Sequence, residues 1–188
     1  RLFGNGNFIS FSNTNRAWGI SDISFKYPTA PTSGSVITGV NAATSGSISR
    51  LFIDNCYDGI TLGNCQATEV GHIEMWNFKN KAVNFTGNLN DPYLNNWFLN
   101  GSNNPNAVGF AIAGKAHAMM ASNIEIIQCN QPVQWIGAAG TSDTVAFSRF
   151  FNCFFDSSLS PAYYEHLYDV EFHGCWWSQR EVGAVFFR

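Results

Sequence analysis

The chain has 188 residues, a formal net charge of −3, 45% hydrophobic residues, and only 12% charged against 15% aromatic residues. The charged share is about half that of an ordinary globular protein, and so apolar a chain is not a disordered one. The mild negative charge gives no reason to expect a nucleic acid or an anionic membrane as partner, and neither a bilayer-spanning apolar run nor a signal peptide is visible.

Residues 1–16 are turn-rich, with one short alternating run. The first clear predicted strand covers 17–27, with Ile20, Ile23 and Phe25 as its apolar positions. Residues 28–47 are loop-like, with a possible strand at 36–40. From 48 the pattern becomes regular. Leu51 and Ile53 alternate with polar neighbours, Asn55-Cys56 follows, the chain turns at Asp58-Gly59, and a second short run starts at Ile60 and Leu62. Period-two alternation closed by a turn dipeptide predicts strand, turn and strand.

The same arrangement recurs at 72–85, in a weaker form at 95–104, and again at 123–135, 149–157 and 169–187. Between the copies lie a turn cluster at 86–94, an extension at 102–116 that contains the strand-like VGFAIAG, a small-residue loop at 136–143, and an excursion at 157–165 whose two tyrosines are expected on a surface. No amphipathic helix of ordinary length is present. Anchoring the copies at Cys56, Phe78, Gly101, Cys129, Cys153 and Cys175 gives steps of 22, 23, 28, 24 and 22 residues. A period in the low twenties, with strands in every unit, marks a stacked architecture whose units cannot bury their apolar faces alone. Because the repeat is direct, the copies should stack in parallel. The expected fold is therefore all-β, a parallel β-helix with rungs of about 22–28 residues, forming one domain over 1–188 with less regular rungs at 1–47 and regular ones at 48–187. The first residue, Arg1, and the strand-like end at Arg188 suggest a fragment of a longer chain.

Four of the five cysteines fall at the anchor. Their spacing fits no zinc pattern, and the expectation is a ladder of small, buried, reduced thiols. Asn55, Asn77, Asn100, Gln128 and Asn152 precede the anchor in five consecutive copies. Stacked amides of this kind can hydrogen-bond along the axis of the helix.

The stretches AWGISDISFKY, SRLFIDNCYDGITL and FSRFFNCFFDSS followed by LYDVEFHGCWWS resemble the pectin-lyase-like right-handed β-helix superfamily, and within it bacteriophage tailspike proteins. The resemblance implies a right-handed helix, a homotrimer, and a partner that is bacterial surface polysaccharide, often cleaved by glycosidase or lyase chemistry. It also implies a place on the virion tail, after folding in the host cytoplasm. No catalytic motif of the family is matched. The Asp and Arg motifs of pectate lyases and the paired Asp of polygalacturonases are absent, so no catalytic residue carries over.

Strand alternation predicts the outer face. If residues three and five before each anchor point inward, the row four before reads Phe52, Glu74, Trp97, Glu125, Arg149, Glu171. The row two before reads Asp54, Trp76, Leu99, Ile127, Phe151, His173, and the row six before reads Arg50, His72, Asn95, Asn123, Phe147, Asp169. The first rungs thus gather Arg50, Asp54, His72, Glu74, Trp76 and Trp97. Aromatic faces cover the apolar side of a pyranose, and paired carboxyls do acid and base work. Asp54 and Glu74, as diagonal neighbours roughly 7–8 Å apart, are candidate catalytic residues within the roughly 6.5–9.5 Å range of inverting glycosidases. One of them would need a raised pKa, which Trp76 could supply by desolvation. Trp76, Trp97, Arg50, His72 and Glu125 are the candidate substrate-binding residues.

Three readings stay open: a polysaccharide hydrolase, a non-catalytic adhesin or tail component on the same scaffold, and a lyase using Arg50 or His72. The outward apolar residues Leu99, Ile127 and Phe151 predict a subunit interface. Glu125, Glu171 and Asp169, with Arg149 between them, predict ion pairs between rungs or subunits. No cofactor or metal is expected, and serine-nucleophile, P-loop and Rossmann motifs are absent.

Overall fold

The computed structural model describes residues 7–12, 17–41, 45–136, 145–179 and 185–187. Among these there are eighteen strands and no helix, and every strand pairing is parallel. The chain is a parallel β-solenoid of about 6 turns. Trp18–Lys26 lies on Gly46–Asp54, which lies on Glu69–Trp76, followed by the first part of Tyr93–Ile112 and then of Met120–Trp135. A second stack runs through Ser35–Val40, Asp58–Gly63, Lys81–Phe85 and the later parts of the same two long strands.

Stacking in register turns each inward position into a ladder. Ile20, Ile48, Val70, Leu94, Ala121, Phe150 and Phe172 form one such ladder. Phe25, Ile53, Met75, Leu99, Ile126, Phe155 and Trp177 form another. From the second stack, Leu62, Phe85, Ile112, Trp135 and Tyr164 fill the opposite wall. Phe110 is the hub between the walls, with Phe85, Trp97 and Trp135 set edge-on around it at 5.4–5.5 Å. Edge-to-face rings at this separation add to the burial energy.

The chain changes direction at single residues in the left-handed region. Asp22, Arg50, His72, Asn96, Asn123, Asn152 and Gly174 all have φ between +51° and +63° and stack in one column, spaced 22–29 residues apart, so they step off six turns. A second column holds Asn55, Asn77 and Gln128, and a third holds Ser45, Ala67, Asp91, Ala118, Phe147 and Asp169. Asn and Asp tolerate this conformation because their side chains hydrogen-bond locally. That explains the Asn-rich sequence with few conventional hairpin turns.

Several expectations are corrected. The third copy was anchored one residue early. Trp76 aligns with Asn100, so Leu99 stands over Met75 and Trp97 over Ile73. Trp97 and Leu99 are buried, and Phe98 and Asn100 take the outward positions. The cause is a widened corner, where Ser102 and Asn103 are both left-handed and the register shifts between Asn100 and Asn104.

The fifth and sixth copies were also displaced. Glu125 aligns with Phe154 and Phe154 with Trp176, so Cys153 stands at the level of Ile124 rather than Cys129. Cys56, Cys65, Cys129 and Cys153 are buried and free, but the alignment splits the expected ladder, leaving Cys153 level with Cys175. Arg149 and Phe151 sit on the strand before the corner, level with Met120 and Ser122. With Leu99 in the core, the predicted outward apolar row does not exist. The excursion at 157–165 contains the strand Ala162–Tyr164, and Tyr164 is a core residue. The predicted loop at 136–143 lies, apart from Ile136, outside the described residues, as does Val182.

Of the expected amide ladder, Asn77 is the clearest rung: it donates to Asp54 Oδ1 at 2.8 Å and accepts from Ser102 Oγ at 2.6 Å. Asn152 belongs instead to the column of Asp22 and Arg50. The expected ion pairs around Arg149 are present, to Asp169 at 3.2 Å and Glu171 at 3.1 Å; Glu125 takes no part in them.

Candidate functional site

The strand that follows the first left-handed column shows alternate residues to solvent. Its first outward row, set by the register, is Ser24, Phe52, Glu74, Phe98, Glu125, Phe154 and Trp176. A groove of about 610 Å³ runs across the first four of these coils. One rim is the left-handed column, from Asp22 through Arg50, His72 and Asn96 to Asn123; Phe52, Glu74 and Phe98 lie on the strand face, and Trp76 stands beside them.

The rim is held by polar pairs between coils. Arg50 grips Asp22 through two parallel bonds, Nε to Oδ1 at 2.6 Å and Nη2 to Oδ2 at 2.7 Å. Hydrogen bonding from that guanidinium holds the Asp22 carboxyl at about 2, below its ordinary value, and the Arg50 pKa is raised in return. His72 Nε2 lies 3.5 Å from Asn96 Nδ2, and Asn123 donates to Asn96 Oδ1 at 3.3 Å. On the strand face, Trp76 donates its indole N–H to Glu74 Oε1 at 2.8 Å, and its ring lies 5.1 Å from that of Phe98.

The structure therefore brings Arg50, His72, Glu74 and Trp76 together. Trp97 contributes from beneath: it is 2% exposed and its indole N–H donates to the Val70 carbonyl at 2.8 Å, so it offers no stacking face. Asp54 does not line the groove. It is buried beside Trp76, ion-paired with Lys26 Nζ at 2.8 Å, and accepts from Asn77. Glu125 is exposed in the same row as Glu74, two coils on and beyond the groove's lining.

Sequence reasoning missed Asp22, Asn96 and Phe98. The signal for the first two is the 22–29-residue recurrence of a polar residue between two apolar ones at the corner, as in Ser-Asp-Ile, Ser-Arg-Leu and Gly-His-Ile. Among the described residues, no three His, Cys, Asp or Glu side chains converge as they would around a metal ion.

Compared with protein families, with characterised proteins and with solved structures, the chain matches none.

Proposed function

We propose that the groove binds an extended glycan lying along the solenoid axis. The observation that carries this reading is the outward row Phe52, Glu74, Phe98, Glu125, in which ring and carboxylate alternate at the strand spacing of about 4.8 Å. A glycan presents apolar ring faces and hydroxyls in turn. Aromatic side chains cover the former, and carboxylate, guanidinium and amide groups bond the latter. The openness of the face suits a polymer rather than a small enclosed ligand. Bacterial surface polysaccharide is the partner class that the resemblance to tailspike-type, pectin-lyase-like helices supplies. A trimeric adhesin or tail component is the finer form of this proposal.

Hydrolysis is the second reading. Asp54 is engaged elsewhere, so the acid partner of Glu74 would be Glu125, two coils away at roughly 9.6 Å, near the upper end of the inverting range. The lyase reading has less support, because Arg50 is already neutralised by Asp22. A panel of capsular and O-antigen polysaccharides tests all three. Binding without new reducing ends supports recognition alone. New reducing ends that are lost in Glu74→Gln support hydrolysis. Unsaturated uronate products support the lyase. Binding of none of the panel removes the glycan reading.

A further inference from the structure

A second groove, of about 620 Å³, lies on the strands that follow the second left-handed column and shares no lining residue with the first. Four coils build it. Tyr57 comes from one coil, Lys79 and Lys81 from the next, Asn106 and Val108 from the third, and Asn130 and Gln134 from the fourth. Lys81, Val108 and Gln131 stand in one column, so Val108, only 7% exposed, closes the floor between a cationic and an amide bank.

Neither lysine has an ion-pair partner among the described residues. The nearby carboxylate, Asp58, is level with Lys81 and already takes the Lys81 backbone N–H at 2.9 Å and Asn80 Nδ2 at 2.8 Å. Burial raises its pKa, which further weakens it as a counter-charge.

The amides are partly fixed and partly free. Asn104 clamps the Phe78 and Lys79 carbonyls at 3.3 and 3.5 Å, and its own oxygen accepts the Asn106 N–H at 3.0 Å. Gln134 donates to Gln131 at 3.0 Å, which leaves its own carbonyl available, and Asn130 accepts from Ser160 at 3.0 Å, which leaves its NH₂. The Asn106 side chain makes no hydrogen bond among the described residues.

We propose that this groove is a binding site for an acidic saccharide, its carboxylate held between the Lys79 and Lys81 ammonium groups and its hydroxyls bonded by Asn106, Asn130 and Gln134. Two cations match one carboxylate, and amides, which donate and accept at once, match vicinal hydroxyls. A polyphosphate or nucleic acid would need a longer run of cations than this net-negative chain offers. The volume is in the roughly 300–1,000 Å³ range of small-ligand sites. The site stands apart from the first groove and does not depend on it.

The test is calorimetric titration with trigalacturonate, trimannuronate and 3′-sialyllactose, on the wild type and on the Lys79→Gln/Lys81→Gln and Trp76→Ala variants. Circular dichroism and thermal melting verify that each variant is folded. At least one acidic probe should bind. Its affinity should fall at least tenfold in the double-lysine variant, fall with added salt, and be unchanged in Trp76→Ala. The methyl ester of a binding probe should bind at least tenfold more weakly. Failure of all three probes, binding that survives the folded double-lysine variant, or equal affinity for the ester would overturn the proposal. Binding lost in Trp76→Ala alone would place the acidic glycan in the first groove and also overturn it.

Discussion

Trp76 and Glu74 point the same way from one strand, and the indole N–H of the first donates to the carboxylate of the second at 2.8 Å. The bond fixes the carboxylate against an aromatic wall that Phe98 extends. Hydrogen bonds to charged groups contribute about 1.5–3 kcal/mol, though at this exposed position the lower end applies. Trp76→Phe keeps a ring but removes the donor, so it should weaken glycan binding about five- to tenfold. Trp76→Ala should weaken it further, and titration calorimetry on the two variants separates these contributions.

The neighbours Trp97 and Phe98 should behave in opposite ways. Trp97→Ala empties a core site and leaves the Val70 carbonyl without its donor, at a cost of about 3–5 kcal/mol. Phe98→Ala removes a half-buried outward ring and should cost clearly less stability while lowering glycan affinity. Urea unfolding and binding titration of both variants check this. The reverse ranking would restore the register in which Trp97 faces outward.

Asp22 should shape the acid limb of stability. Its folded pKa, about 2, lies below its ordinary value of 3.8 because Arg50 bonds its charged form. The contribution is therefore complete above about pH 4 and is lost as pH falls through about 2. Asp22→Asn should flatten the decline between pH 4 and 2 and leave the shape between pH 5 and 7 unaltered. Denaturant unfolding at stepped pH reads this directly.

Ala67 is exposed and left-handed at φ +48°, in the same column as Asp91. An L side chain with no local hydrogen bond pays about 1–2 kcal/mol in this region, and Gly does not. Ala67→Gly should raise stability by about 1 kcal/mol, less the entropy that Gly adds to the unfolded chain. Thermal unfolding measures it.

The solenoid was legible because stacked coils repeat the same inward positions. Leu51, Ile53, Ile73, Met75, Ile124 and Ile126 all face the core as alternation requires. The groove was legible only where two consecutive copies have equal length, which is why Arg50, His72, Glu74 and Trp76 were found together. The rest was hidden by the corners. Each corner is one left-handed residue, and an extra residue there, as at Ser102-Asn103, rotates the next strand by one position and reverses every side chain. Cysteine was the wrong marker because it fills gaps wherever they occur, as the offset of Cys153 from Cys129 shows. Nor does sequence spacing reveal that Lys26 and Asn77 occupy Asp54, since both partners come from other coils.

The most direct test of the glycan-binding groove is a titration of the wild type and the Trp76→Ala and Phe98→Ala variants with a panel of bacterial capsular and O-antigen polysaccharides. The groove reading predicts that at least one polysaccharide binds, and that each folded variant binds it at least fivefold more weakly. Binding of none, or binding that both variants retain in full, would contradict it.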